Sequence, residues 1–203
     1  MIKDKNLPIV ALVGRPNVGK STLFNRVTRS RKAIVDPTPG VTRDRHYEQV
    51  VWNEQGFVLV DTGGIDDNPE DLLVNHIREQ ALAAIEEADI ILFLMDGKQG
   101  VTPADWEIAD LLRQTRKPVF HIVNKVDSPE KEIELVSQFY ELGVDRLWPL
   151  SAEHKYGFKD FMDGLCETVP DDEVDLELPD NTVKVAFFGR PNVGKSSIIN
   201  RIL

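Results

Sequence analysis

Short apolar runs alternate along this chain with longer stretches in which apolar residues recur at helical spacing. The runs PIVALV (8–13), HYEQVVW (46–52), GFVLVD (56–61), DIILFLMD (89–96), VFHIVN (119–124) and RLWPLS (146–151) read as strands. DIILFLMD is nearly all apolar, as a strand covered on both faces is. Between the runs lie KSTLFNRVTRS (20–30), with Leu23, Phe24 and Val27 on one side, and PEDLLVNHIREQALAAIEEA (69–88). TPADWEIADLLRQT (102–115), SPEKEIELVSQFYEL (128–142) and FKDFMDGLCETV (158–169) complete the helical set, and Thr102 and Pro103 mark a helix start. Strands alternating with helices predict an α/β domain with a mostly parallel sheet and helices on both faces. The runs 46–52 and 56–61, separated by NEQ, predict a hairpin and hence one antiparallel edge strand.

The pattern stops near residue 169. PDDEVDLELPDN (170–181) is acidic, bounded by prolines and without helical periodicity, so it reads as a solvated linker. TVKVAFFGRPNVGKSSIINRIL (182–203) then repeats the opening order of strand, glycine loop and helix start. GRPNVGKS occurs at 14–21 and again at 189–196, which indicates domain duplication. The expected organisation is therefore a complete domain over 1–169, a linker over 170–181 and the truncated beginning of a second domain over 182–203.

Charge narrows the partners. The 34 acidic side chains outweigh the 24 basic ones, giving a formal net charge of −10, which argues against strong nucleic-acid binding by this chain. No apolar run approaches the roughly 20 residues of a membrane span. The single cysteine, Cys166, excludes an intramolecular disulfide and fits a reducing cytoplasm. His46, His76, His121 and His154 are scattered without metal-ligand spacing.

The first octet has the form G-x-x-x-x-G-K-S, between a strand and a helix. Its glycines let backbone N–H groups converge on phosphate oxygens at a positive helix end. Nucleotide contacts are expected from Asn17, Val18, Gly19, Lys20, Ser21 and Thr22, with Lys20 on the β- and γ-phosphates and Ser21 on magnesium. DTGG (61–64) ends a strand: Asp61 holds magnesium through water, and Gly64 lets the backbone approach the γ-phosphate. Thr42, in PGVTRD (39–44), lies where a loop closes over magnesium. NKVD (124–127) sets the base. Asp127 accepts from guanine N1–H and the exocyclic amino group, Lys125 lays its stem along the purine, and Asn124 ties this loop to the phosphate loop. Adenine offers Asp127 no matching pair of donors, and the loss of two charge-assisted bonds is worth about a thousandfold in selectivity. SAEH (151–154) supplies Ser151, Ala152 and Glu153, with the Ala152 N–H facing guanine O6. An ATP-using phosphate-loop enzyme and a nucleotide-binding scaffold without hydrolysis remain alternatives; NKVD opposes the first, and intact Lys20, Ser21 and Asp61 oppose the second.

GRPNVGKS, PGVTRD, DTGG, NKVD and SAE in this order resemble the translation-factor-like P-loop GTPases, in particular their Era-like branch. The duplicated octet narrows the resemblance to the bacterial double-GTPase ribosome-assembly family called Der or EngA. That resemblance implies magnesium-dependent hydrolysis of GTP to GDP, a role in assembly of the large ribosomal subunit, and a second GTPase domain and a KH-like domain that this chain lacks. It also redirects the catalytic assignment. Ile65 follows DTGG where small signalling GTPases carry a water-orienting glutamine. Asn17 matches an asparagine that in related proteins helps hold potassium beside the phosphates. The catalytic set implied is Asn17, Lys20, Thr42 and Gly64.

Overall fold

The computed structural model describes residues 7–29, 46–53, 55–62 and 73–169. Thr42, Gly64, Ile65, the linker and the second octet lie outside the described residues. The chain divides into two units, Met1–Pro170 and Asp171–Leu203, and every described element belongs to the first.

Among the described residues, six strands form one sheet: β1 (Ile9–Val13), β2 (His46–Trp52), β3 (Gln55–Asp61), β4 (Ile90–Asp96), β5 (Val119–Asn124) and β6 (Leu147–Pro149). Their spatial order is β2-β3-β1-β4-β5-β6. Only β2 runs antiparallel, pairing with β3 in the register Val50↔Phe57 and Trp52↔Gln55, while β1 pairs in parallel with both β3 and β4. The expected edge hairpin is therefore present. Asn53, at a φ of 47°, turns it. Asparagine tolerates this left-handed conformation better than most residues.

The two-residue period of the strands sends alternate side chains to opposite faces. Val10, Leu12, Ile90, Leu92 and Leu94 pack with Leu23, Phe24 and Val27 of α1 (Lys20–Arg29) and with Phe161, Met162 and Leu165 of α5 (Phe158–Thr168). Ala11, Val13, Ile91, Phe93 and Met95 pack on the other face. There they meet Ala81, Ala84 and Ala88 on and just beyond α2 (Leu73–Glu87), Ile108, Ala109 and Leu112 of α3 (Pro103–Leu112), and Val136 of α4 (Pro129–Val136). The alanines on α2 let that helix approach the sheet closely. All seven residues of β4 are buried, as a central strand between two helical layers requires.

The stretch 128–142, expected as one helix, divides. It is α-helical to Val136 and becomes a 3-10 helix over Ser137–Leu142. The tighter winding turns Phe139 and Leu142 into the core, both fully buried, before Gly143 ends it at a φ of 64°. Trp148 lies stacked on Phe120, with ring centroids 5.5 Å apart, and edge-on to Phe161. No helix among the described residues is long and apolar enough to cross a membrane.

Parallel pairing places the carboxyl ends of β1, β3, β4, β5 and β6 along one rim. The chain passes from β1 to β2 and β3 on one side of it and then returns from β3 through α2 to β4 on the other, so the strand order reverses at β1 and the crevice for a ligand opens at its carboxyl end. This is where the loops expected to carry chemistry emerge.

Away from this rim, a partly buried imidazole makes stability depend on pH. His121 on β5 packs edge-on against Phe93. Burial, reinforced by the Arg113 charge, pushes its pKa from 6.5 down to about 4. The folded state thus prefers neutral imidazole more strongly than the unfolded chain does. The resulting stability is complete above about pH 6.5 and is lost as the pH falls toward 4. Urea unfolding of the unaltered protein from pH 7 to pH 4 should lose about 1–3 kcal/mol more than His121→Asn does; parallel losses would remove this assignment.

Candidate functional site

The loop from β1 to α1 wraps closely on neighbouring backbone. A Cβ on Gly14 would lie 2.4 Å from the Leu94 carbonyl oxygen, and one on Gly19 would lie 2.3 Å from Asn124 Nδ2. Gly19 also has a φ of 100°, so a side chain there meets both a steric and a conformational barrier. Asn17, exposed at the loop's tip, adopts a φ of 65°. Lys20 opens α1 and is buried; its Nζ donates to the carbonyls of Gly14 at 2.8 Å and Arg15 at 2.9 Å. The ammonium is therefore held over the cradle formed by its own loop.

One residue into α1, the Ser21 hydroxyl donates to Asp61 Oδ2 at 3.2 Å. Asp61 ends β3 and is buried, and next to it Thr62 donates its hydroxyl to the Leu12 carbonyl at 2.6 Å. The two magnesium ligands expected from distant motifs are thus neighbours. A hydroxyl beside a carboxylate is a hard oxygen pair, the donor type magnesium takes. Thr22 and Asn25 continue along the outer side of α1, where with Arg26, Arg29, Trp52 and Lys155 they line a cleft of about 750 Å³.

Asn124 joins the two halves of the rim. Its Nδ2 donates to the Val18 carbonyl at 2.8 Å, and its Oδ1 accepts the Ala152 N–H at 3.0 Å. The first bond is the tie that the sequence leads one to expect. The second gives the Ala152 N–H, expected to face guanine O6, a partner inside the protein. Lys125, at a φ of 68°, donates through Nζ to the Asn17 carbonyl at 2.8 Å and pairs with Asp96 Oδ2 at 2.6 Å. Its ammonium braces the phosphate loop while its stem borders the rim.

Asp127 presents its carboxylate between two loops. Oδ1 accepts the Ser151 hydroxyl at 3.0 Å, and Oδ2 pairs with Lys98 at 2.7 Å. Lys98 first, and the Ser151 hydroxyl after it, hold the carboxyl below its usual range. Glu153 offers its backbone carbonyl to Arg26 Nη2 at 2.6 Å, and Arg26 Nε donates to the Ala152 carbonyl. Helix α1 therefore fixes the 151–153 loop from below.

Asn17, Val18, Gly19, Lys20, Ser21, Thr22, Asp61, Asn124, Lys125, Asp127, Ser151, Ala152 and Glu153 thus gather on one rim, whereas Thr42 and Gly64 lie outside the described residues. Asp96, Lys98 and Arg26 belong to the same rim, and no motif in the sequence singles them out. Asp96 carries a usable signal, an acidic residue closing an all-apolar strand at the same end as the other motifs.

The family model described as "50S ribosome-binding GTPase" matches residues 9–125 and 184–203. The chain belongs to this family. It is 54% identical over 195 residues to the GTPase Der of Trichlorobacter lovleyi, covering 96% of this chain and 43% of that protein. It is also 50% identical over 196 residues to the GTPase Der of Clostridium tetani, covering 97% and 44%. The chain thus spans less than half the length of these relatives. Among solved structures, a variant of Aquifex aeolicus Era bound to GDP and AlF4- is 31% identical with a TM-score of 0.64, covering 82% of this chain and 58% of that one. The G domain of the T. maritima FeoB iron transporter, 24% identical with a TM-score of 0.54, shares the fold; 80% of this chain and 99% of that one align. The expected P-loop GTPase fold is therefore present.

The close approach of Gly19 to Asn124 supplies a test. Gly19→Ala should weaken nucleotide affinity about a hundredfold, because the methyl group displaces the carboxamide that spans both loops and strains a left-handed backbone. Titration calorimetry measures this directly, and affinity within threefold of the unaltered protein would contradict it.

Proposed function

We propose that this chain binds guanine nucleotides and hydrolyses GTP to GDP and phosphate with magnesium, as the nucleotide switch of a cytoplasmic protein acting in assembly of the large ribosomal subunit. The observation that carries this reading is the ionised Asp127, fixed by Ser151 on the rim that also holds Lys20. Guanine presents two adjacent N–H donors to such an acceptor, and adenine does not. Lys98 must share or yield Oδ2, and since its side chain is 56% exposed, water readily takes its place as partner. The curated relatives' names and the family description support the GTPase and ribosomal parts of the proposal.

In hydrolysis a water oxygen bonds to the γ-phosphorus, the bond to the β–γ bridging oxygen breaks, and charge grows on that oxygen and the phosphoryl group. Lys20 supplies a fixed positive charge there, and the loop N–H groups of Val18 and Gly19 orient the phosphates. Ser21 and Asp61 are the residues to hold magnesium, joined by Thr42 when the γ-phosphate is present; the ion neutralises phosphate charge when bound. Gly64 lets its backbone answer the γ-phosphate. With Ile65 in place of a water-orienting side chain, Asn17, exposed beside this cradle, is the candidate ligand for potassium. Residues 182–203 are read as the beginning of a second GTPase domain, supported by the second family match. A KH-like domain would follow it in the full-length protein.

Two measurements test the proposal. GDP should bind at least about a hundredfold more tightly than ADP, and Asp127→Asn should erase most of that preference, because an amide donates where a carboxylate accepted. Equal GDP and ADP affinities in the unaltered protein would refute guanine selectivity. Single-turnover GTP hydrolysis should run faster in KCl than in matched NaCl, by up to about a hundredfold. Asn17→Ala should remove that difference while leaving GDP affinity within a few-fold; equal rates in both salts would eliminate the potassium role.

A further inference from the structure

Behind the phosphate loop lies an ion pair that neither the motifs nor the proposed chemistry uses. Arg15 follows Gly14 in the loop, and its side chain turns inward. Its Nε meets Asp105 Oδ2 at 3.3 Å, and its Nη1 donates to Gln99 Oε1 at 2.6 Å. Asp105, in the first turn of α3, is wholly buried and also accepts the Thr102 N–H at 3.0 Å and the Thr102 hydroxyl at 2.8 Å, all on Oδ2. Asp105 Oδ1 and Arg15 Nη2 are both buried and have no hydrogen-bond partner among the described residues.

Guanidinium Nε and Nη2 form one edge of a fork that matches the two oxygens of a carboxylate. Here the pair makes one long bond of the two its chemistry offers. Leaving the second donor and acceptor buried and apart is unfavourable, and native proteins rarely tolerate it. A small inward movement of Arg15 would bring the fork together. The backbone of the same residue is tied to the phosphate-binding charge, because the Arg15 carbonyl accepts from Lys20 Nζ.

We propose that Arg15 and Asp105 are positioning residues for the phosphate loop. Their fork closes as Lys20 turns from the loop carbonyls to nucleotide phosphate, and so anchors the phosphate-bound loop to helix α3. Gln99 holds Nη1 so that the guanidinium approaches Asp105 edge-on. The proposal rests on the guanine-nucleotide reading: no binding of GDP by the unaltered protein would defeat that reading, whereas release rates of the variants concern the fork alone.

Arg15→Lys keeps the charge, removes the fork and leaves the Thr102–Asp105 contacts intact. Asp105→Asn removes the carboxylate from the other side. Stopped-flow release of a fluorescent GDP from the whole chain should accelerate about tenfold in each variant. The double variant should be no faster than the faster single one, since both act through one pair. The preference for GDP over IDP, which lacks the exocyclic amino group, should stay unchanged, because the base end is untouched. A general loss of packing would not produce this combination of faster release, non-additivity and preserved base preference. Unchanged release in Arg15→Lys, additive effects in the double variant, or a reduced GDP-over-IDP preference would each overturn the proposal. If Asp105→Asn fails to fold, Arg15→Lys and Arg15→Met decide it: both should release GDP faster with base preference intact, and release at the unaltered rate in either would sink it.

Discussion

One buried carboxamide organises the rim. Asn124 donates to the phosphate loop at Val18 and accepts from the 151–153 loop at Ala152, so a single side chain fixes the spacing between the residues suited to phosphate and those suited to a base. It is only 3% exposed, which makes both bonds hard to replace with water and costly to lose. Gly19 has to be glycine because this carboxamide occupies the space of its Cβ. Local sequence in one loop is thus dictated by a residue more than a hundred positions away.

Around that tie, charge is arranged in pairs that cross between strands. Lys125 links Asp96 to the Asn17 carbonyl, and Arg26 secures the carbonyls of Ala152 and Glu153. The turn after β4 draws on the same carboxylate, with Asp96 Oδ1 accepting the N–H groups of Lys98 and Gln99. From this turn Lys98 reaches Asp127 and Gln99 reaches Arg15. Phosphate end and base end are therefore connected through β4 as well as through Asn124. The sheet makes this possible, since parallel pairing brings every loop to one edge.

Much of this is legible in the sequence because strands and glycine loops leave periodic and compositional marks. The unbroken apolar β4 and the alternating packing of β1 follow from hydrophobic pattern alone. The partnership of Ser21 with Asp61, and of Asn124 with Val18, is readable because phosphate chemistry demands those residue types together. Asp105 and Arg26 are not readable in the same way. Each sits on a helix with ordinary amphipathic spacing, and nothing local tells a helix-capping acid or a surface arginine from one that reaches another loop. The change to 3-10 winding at Ser137 is hidden for a related reason: Phe139 and Leu142 fit an α-helical stripe, and only packing against the sheet selects the tighter turn.

Asn124 is the shared support of both ends of the site, and one substitution there separates its two bonds. Asn124→Asp keeps the acceptor for the Ala152 N–H but sets a carboxylate oxygen against the Val18 carbonyl, so it breaks one bond and preserves the other. Calorimetric titration of the unaltered and substituted proteins with GDP, and separately with inorganic pyrophosphate, reads the two ends apart. The predicted result is a loss of about a hundredfold for GDP together with clear weakening of pyrophosphate, because the phosphate loop loses its tether. Pyrophosphate affinity equal in the two proteins, or GDP affinity within threefold, would contradict it.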